Sequence, residues 1–175
     1  METELEKALM SFYKEGMISF LTNQPESFDE AVELAISDKQ PYAWRSAWLL
    51  WSCMEHNDRR IKKHLSRIVN SVKSKNDGHQ RELIKILSQM ELSPKHEGVL
   101  FDICLNVWEQ ISKSPSVRMT AIKFIIKIVK KYPELEREVP FLVQDHFLES
   151  LSPGVKRSIS KMIKEFDSEN CLIDN

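Results

Sequence analysis

Apolar residues recur every three or four positions along almost the whole chain. Near the start this spacing is carried by Leu5, Leu9, Phe12 and Phe20. Such a repeat places apolar side chains on one face of an α-helix. Nothing in the sequence resembles a β-hairpin, and glycine is scarce, with four residues. The pattern therefore predicts an all-α protein that begins with one helix over about residues 1–22.

Prolines fall mostly between the periodic segments, where they separate one helix from the next. Pro25 and Ser27 mark the first break, and Ser27 and Glu30 have the spacing of a capping box. Pro41 begins a helix that contains three tryptophans. The periodicity predicts further helices over residues 59–72, 77–90, 96–111, 116–131, 134–149 and 154–166.

Comparison of the chain with itself shows an internal repeat. A basic residue recurs at Arg45, Arg81, Arg118 and Lys156, with spacings of 36, 37 and 38 residues. The positions three and six residues further on are apolar in each repeat: Trp48 and Trp51, Ile84 and Leu87, Ala121 and Phe124, Ile159 and Met162. A period of this length is typical of stacked pairs of antiparallel helices, which share one continuous core. Four helix pairs are predicted, over residues 27–56, 59–90, 95–131 and 134–166.

The start of the second helix in these pairs resembles the HEAT repeat family. Residues 116–121 are Ser-Val-Arg-Met-Thr-Ala, and residues 152–157 are Ser-Pro-Gly-Val-Lys-Arg. HEAT repeats typically carry a valine and a basic residue there, followed by a small apolar residue. The resemblance covers about residues 28–166 and implies a right-handed α-solenoid of the HEAT/armadillo kind. Residues 1–166 would form a single domain, with residues 1–22 as an N-terminal capping helix and residues 167–175 as a tail.

Composition and terminal features predict a soluble protein of the cytoplasm. The chain is 42% hydrophobic and 29% charged, as in globular proteins. Three cysteines, an odd number, argue against a disulfide framework and favour a reducing compartment. The N-terminus lacks the basic start and apolar run of a signal peptide, and no apolar stretch approaches the length of a membrane span.

The sequence contains no recognisable catalytic or metal-binding motif. The five histidines form no His-x-x-x-His pair, and no Cys-x-x-Cys pair occurs. A Gly-rich phosphate loop and a Gly-x-Ser-x-Gly elbow are both missing from the sequence. Cys104 lies in an apolar helical pattern, where burial makes a thiol inert. We therefore predict a protein without a cofactor or metal and without catalytic residues.

Two features have a structural and a functional interpretation. Trp44, Trp48 and Trp51 form a stripe that would suit a binding platform, but their counterparts in a later repeat are core residues, which favours packing. The basic column could bind a partner. In stacked helical repeats, however, a basic residue at this position commonly bonds neighbouring carbonyl or carboxylate groups, which favours a structural role at Arg45, Arg81 and Arg118.

Charge segregation gives the best functional hint. The second helices of the last two repeats are basic, whereas the segment 134–149 is acidic. Second helices usually line the concave side of a solenoid, so the C-terminal half would have a basic inner face, although exposed stripes of amphipathic helices are commonly charged without a function. The predicted binding residues are Arg118, Lys123, Lys127, Lys130, Arg157, Lys161 and Lys164.

Two functions follow from these observations. The favoured one is a non-enzymatic scaffold or adaptor that binds an acidic protein or peptide partner on the basic concave face. The alternative is a DNA-binding protein or DNA glycosylase, because some DNA-alkylation-repair proteins resemble this architecture. Their tryptophan and aspartate segment has no match here, since residues 44–51 contain no carboxylate.

Overall fold

The computed structural model describes residues 2–170, with side chains as far as residue 164. Within that part of the chain every regular element is helical, as predicted. The chain divides into two compact units, an N-terminal unit of residues Met1–Leu100 and a C-terminal unit that starts at Phe101.

The N-terminal unit is built on paired helices. α3 packs along α4, α6 packs along α7, and α4 also packs against α7. The buried residues of these helices are mainly alanine, valine, leucine and isoleucine. The helices are α1 (Glu4–Ser11), α2 (Lys14–Asn23), α3 (Phe28–Ile36), α4 (Tyr42–Cys53), α5 (Arg59–Lys62), α6 (Leu65–Val72), α7 (Asp77–Ser88) and α8 (Pro94–Glu109), which continues into the C-terminal unit.

The C-terminal unit is centred on one long helix. α9 (Pro115–Lys131) packs against both α12 (Pro153–Asn170) and a 3₁₀ helix (Pro133–Glu138). Two short helices, α10 (Val139–Leu142) and α11 (Asp145–Leu148), connect them. α9 buries apolar side chains on several sides: Val117, Ala121, Ile122, Phe124, Ile125, Ile128 and Val129. That distribution is expected for a helix packed on more than one side.

The predicted N-terminal helix is in fact two helices. The backbone is extended at Phe12 and at Tyr13, which ends α1 and begins α2. Each helix packs against α4 separately, α1 through Leu5 and Leu9 on its buried face and α2 through Met17 and Leu21. The prediction of a single helix over residues 1–22 is therefore wrong, because two short apolar faces with similar spacing look continuous in the sequence.

Other predicted helices are also interrupted. Residues 59–72 form α5 and α6, and residues 134–149 form the 3₁₀ helix with α10 and α11. Pro140 lacks the N–H that a continuous helix would need there. The capping box predicted at Ser27 is wrong, since Ser27 makes no side-chain cap bond and is the last residue of a 3₁₀ helix (Pro25–Ser27) that leads directly into α3. By contrast, α7, α8, α9 and α12 begin within two residues of their predicted starts.

The tryptophan stripe on α4 does not form the core. α4 buries its small residues and two leucines: Ala43, Ser46, Ala47, Leu49 and Leu50. Trp44 and Trp48 are half-buried, and Trp51 is 37% exposed. The packing interpretation is therefore wrong for Trp51 and only partly correct for Trp44 and Trp48, because alanines let α4 approach its neighbours closely and leave the bulky rings at the sides.

Candidate functional site

The basic column of the repeat does not have a uniform role. Arg118 is fully buried, with 0% of its surface exposed. Its Nε donates to the carbonyl of Trp108 (3.0 Å), and its Nη2 donates to that of Phe147 (2.6 Å). Its Nη1 donates to the hydroxyl of Ser150 (3.0 Å), and the guanidinium lies 4.7 Å from the Trp108 ring centre. Burial lowers the pKa of Arg118.

Arg118 therefore has the structural role that the repeat suggested as one interpretation. It holds α9 to the end of α8 and to the segment around α11 through backbone carbonyls. Because its guanidinium is enclosed, Arg118 does not belong to an exposed binding surface, and the prediction that it is a binding residue is wrong.

The six other predicted binding residues are exposed. Lys123, Lys127 and Lys130 are spaced four and three residues apart on α9, so they share one face of that helix. α12, which packs against α9, carries a stripe of the same spacing, formed by Arg157, Lys161 and Lys164. We call these six residues the α9–α12 surface.

The same unit also has acidic side chains on a different segment. Glu134 and Glu138 of the 3₁₀ helix are exposed, as are Asp145 and Glu149 in and beside α11. The sequence of α9 contains no acid, and neither do residues 153–164 of α12. Basic side chains therefore predominate on α9 and on residues 153–164 of α12, whereas these exposed acidic side chains lie on the 3₁₀ helix and around α11.

A cavity that sequence analysis did not identify lies in the N-terminal unit. Its volume is about 570 Å³. It is formed by the turn between α1 and α2 together with one side of α4 and the start of α7. We call it the Arg45 cavity, and the residues that line it are Met10, Ser11, Phe12, Tyr13, Lys14, Met17, Trp44, Arg45, Trp48 and Arg81.

Arg45 has an incomplete set of partners in this cavity. Its Nε is buried and has no hydrogen-bond acceptor among the residues that the structure describes. Its Nη2 contacts the thioether sulfur of Met17 at 3.9 Å. Arg45 forms no ion pair with any residue in the described part of the chain. A buried donor without an acceptor costs about 1–3 kcal/mol. Arg45 therefore differs from Arg118, whose guanidinium donates to carbonyl and hydroxyl oxygens.

The two other cations at the Arg45 cavity differ in their environment. Arg81 donates through Nε to the buried carboxylate of Glu82 (2.8 Å), which Lys85 also contacts (3.2 Å). Lys14 lies 5.8 Å from the ring centre of Trp48 and pairs with no carboxylate among the described residues. No acidic residue is among those lining the cavity. Its wall therefore combines aromatic surface with positive charge.

Part of the Arg45 cavity could be recognised from the sequence. The tryptophans of α4 and the arginine column were both visible, and the platform interpretation of the tryptophans agrees with their position at the cavity for Trp44 and Trp48. The turn at Phe12 and Tyr13, which completes the cavity, was hidden by the apparent continuity of the first helix.

The structure also shows the surroundings of the side chains that could bind a metal ion and of the cysteine thiols. Among the described residues, no cluster of three or more His, Cys, Asp or Glu side chains could hold a metal ion. Burial raises the pKa of the Cys104 thiol, and also that of Cys53. Within the same residues, no helix has the length and apolar character needed to cross a membrane. Cys171 lies outside the described residues.

Comparison with known proteins identifies the family. Neither the curated proteins nor the solved structures include a significant match to this chain. One family model, described as the HEAT repeat domain, matches residues 1–166. That match covers nearly the whole chain and agrees with its paired helices and its internal repeat. The chain therefore belongs to the HEAT repeat family.

Proposed function

We propose that this protein is a non-enzymatic interaction module of the cytoplasm that binds an acidic segment of a protein partner on the α9–α12 surface. One observation carries the proposal. Six cations are exposed on two helices that pack together, and no acidic residue interrupts them between residues 115 and 131 or between 153 and 164. Same-sign charge concentrated on one part of a nearly neutral chain attracts a partner of opposite sign.

Membership of the HEAT repeat family supports a protein partner. HEAT repeats commonly mediate protein interactions, since stacked helix pairs present an extended surface. The net charge of −1 gives the chain no overall attraction to nucleic acid. Recognition would therefore depend on local charge and local shape, as in most protein–protein interfaces.

Charge reversal tests the proposal. The triple variant Lys123→Glu, Lys127→Glu and Lys161→Glu changes three exposed residues of the α9–α12 surface. We expect it to lose a partner that the wild-type chain captures from its native cell. Binding of that purified partner should fall at least tenfold, as measured by titration calorimetry, because three attractive contacts become repulsive.

A matched control separates surface charge from total charge. Arg59, Lys62 and Lys73 are exposed in the N-terminal unit, and their replacement by Glu changes the net charge by the same amount. This control should bind the partner as the wild type does. The proposal would be contradicted if the triple variant of the α9–α12 surface bound the partner as tightly as the wild type does. Recovery of nucleic acid in place of a protein would favour the DNA-binding alternative.

A further inference from the structure

We propose that the Arg45 cavity is a second binding site, which accepts an aromatic side chain and an adjacent carboxylate from a peptide segment of a partner protein. This site lies in the N-terminal unit and shares no residue with the α9–α12 surface. The two proposals are therefore independent, and either can fail without the other.

The requirement for a carboxylate comes from Arg45. A guanidinium offers five N–H donors in a planar fork that matches a carboxylate. At Arg45, Nε is buried without an acceptor among the described residues, and the partner of Nη2 is a sulfur atom at 3.9 Å. Sulfur of this kind is only a weak acceptor. A carboxylate entering the cavity would supply the acceptor that none of the described residues provides.

The neighbouring cations strengthen this preference. Lys14 faces the Trp48 ring and has no carboxylate partner among the described residues. Arg81 adds a third positive group, although Glu82 offsets its charge. No lining residue is acidic, so an anion would meet no like charge at the wall. A neutral or cationic ligand would leave Arg45 and Lys14 uncompensated.

The requirement for an aromatic group comes from the remaining wall. Trp44 and Trp48 each expose part of an indole ring to the cavity, and Phe12 and Met17 also line it. Aromatic rings pack favourably on one another and on thioether groups. The volume of about 570 Å³ lies within the range of about 300–1,000 Å³ that is typical of ligand pockets. It exceeds what a carboxylate alone would fill.

The rim of the cavity favours a peptide. Tyr13 is 89% exposed, and Phe12 and Met10 are each 46% exposed, so apolar surface continues outward from the opening. Except for Ser11 and Lys14, all lining residues are of types enriched at protein interfaces: Met, Phe, Tyr, Trp and Arg. Tryptophan, tyrosine and arginine also dominate interface hot spots. A segment of a protein would use both the cavity and this rim.

Three capped tripeptides test the chemistry on the full-length protein. The probe is Asp-Phe-Asp, and its comparisons are Asn-Phe-Asn, which lacks the charge, and Asp-Ala-Asp, which lacks the ring. Binding is followed by the NMR signals of the indole N–H groups, assigned with single Trp→Phe variants. We expect Asp-Phe-Asp to shift the signals of Trp44 and Trp48 and to bind at least tenfold more tightly than either comparison peptide.

Variants then test the role of Arg45. Arg45→Gln should reduce Asp-Phe-Asp affinity about tenfold or more, the loss expected for a charge-assisted hydrogen bond, and should leave Asn-Phe-Asn unaffected. Arg45→Lys, which keeps the charge but not the fork, should recover only part of the affinity. Arg59→Gln is the control, since Arg59 is exposed and does not line the cavity. Circular dichroism verifies that each variant is folded.

Several results would overturn the inference. Equal binding of Asp-Phe-Asp and Asn-Phe-Asn would exclude carboxylate recognition. Equal binding by wild type and Arg45→Gln would exclude Arg45 as its recognition group, and shifts confined to Trp51 and Trp108 would place the peptide elsewhere. If a single-stranded oligonucleotide bound through Arg45 while the tripeptide did not, the ligand class would be wrong.

Discussion

At the scale of single residues, the three arginines of the basic column share one position in the repeat but lie in three different environments. Arg118 is enclosed and bonded to carbonyl groups, Arg81 is paired with Glu82, and Arg45 has no charged partner among the described residues. The sequence favours a structural role for all three, although Arg118 is also among the predicted binding residues. The structure confirms a structural role for Arg118, and it leaves Arg45 with donors that a ligand could use.

Arg118 provides a stability prediction. Arg118→Met would leave the carbonyls of Trp108 and Phe147 without the donors they now have. Each buried unsatisfied group costs about 1–3 kcal/mol, so we expect the free energy of unfolding to fall by about 3 kcal/mol. Urea denaturation measures this change. Arg157→Met, at an exposed position of α12, should change stability by less than about 0.5 kcal/mol.

Asp58 provides a pH-dependent prediction. Hydrogen bonds from the Arg60 side chain, with the backbone N–H groups of Arg60 and Glu55, lower the pKa of Asp58 from 3.8 to about 2. This lowered pKa stabilises the fold above about pH 4, and the stabilisation is lost as the pH falls towards 2. Asp58→Asn should therefore lower stability by about 2 kcal/mol at pH 7.

The pH profile separates charge from other effects of this substitution. Asparagine can still act as an N-cap, so the cap itself is retained in the variant. The stability difference between wild type and Asp58→Asn should shrink steadily from pH 5 to pH 2 in urea titrations. A difference that stays constant over that range would show that the Asp58 charge does not contribute.

At the scale of elements, the contact between α4 and α7 positions Trp44. A Cβ at Gly78 would meet Trp44 Nε1 at 3.2 Å, whereas a Cβ at Gly98 in α8 would meet nothing within 4 Å. Glycine thus allows the indole to lie against the first turn of α7. The alanines of α4 act in a similar way. Their small side chains let α3 and α7 pack close to α4, while the tryptophans lie to the side.

These two glycines make a matched pair of substitutions. Gly98→Ala should raise the free energy of unfolding by about 0.5–1 kcal/mol, because alanine favours a helix over the unfolded chain. Gly78→Ala should raise the free energy of unfolding by less than Gly98→Ala does. It should also change the tryptophan fluorescence spectrum, since the Trp44 ring must move. Equal stabilisation by both substitutions, with unchanged fluorescence, would show that Gly78 does not position the ring.

At the scale of the whole molecule, net charge and local charge lead to different expectations. The chain carries −1 overall, yet its C-terminal unit exposes six cations on two helices. Binding to duplex DNA requires many phosphate contacts and weakens steeply as salt rises. An acidic protein segment requires fewer charge contacts and adds apolar ones.

We therefore predict no measurable binding to duplex DNA, even at about 50 mM salt. Fluorescence anisotropy with a labelled duplex measures this directly. An affinity that falls steeply with salt and depends on Lys123 and Lys161 would contradict the prediction and support the DNA-binding alternative. Weak binding that the α9–α12 variant retains would point to another surface.

The sequence by itself determined the helical class, the repeat and the family. Helical periodicity is local, so α7, α8, α9 and α12 could be located from spacing alone. The HEAT resemblance, seen in residues 116–121 and 152–157, agrees with the family match over residues 1–166. The exposed cations of α9 and α12 were also visible as stripes, since a helix turns by a constant angle.

Only the tertiary structure decided which polar and aromatic groups are enclosed. Burial depends on neighbours that are distant in sequence, so the same arginine column contains the enclosed Arg118 and Arg45, whose buried Nε has no acceptor among the described residues. The tertiary structure also shows that α1 and α2 each pack against α4 and that the turn between them, at Phe12 and Tyr13, lines the Arg45 cavity. The physical reason is that periodicity specifies which face of a helix is apolar, whereas the distance between helices determines which side chains fill the space between them.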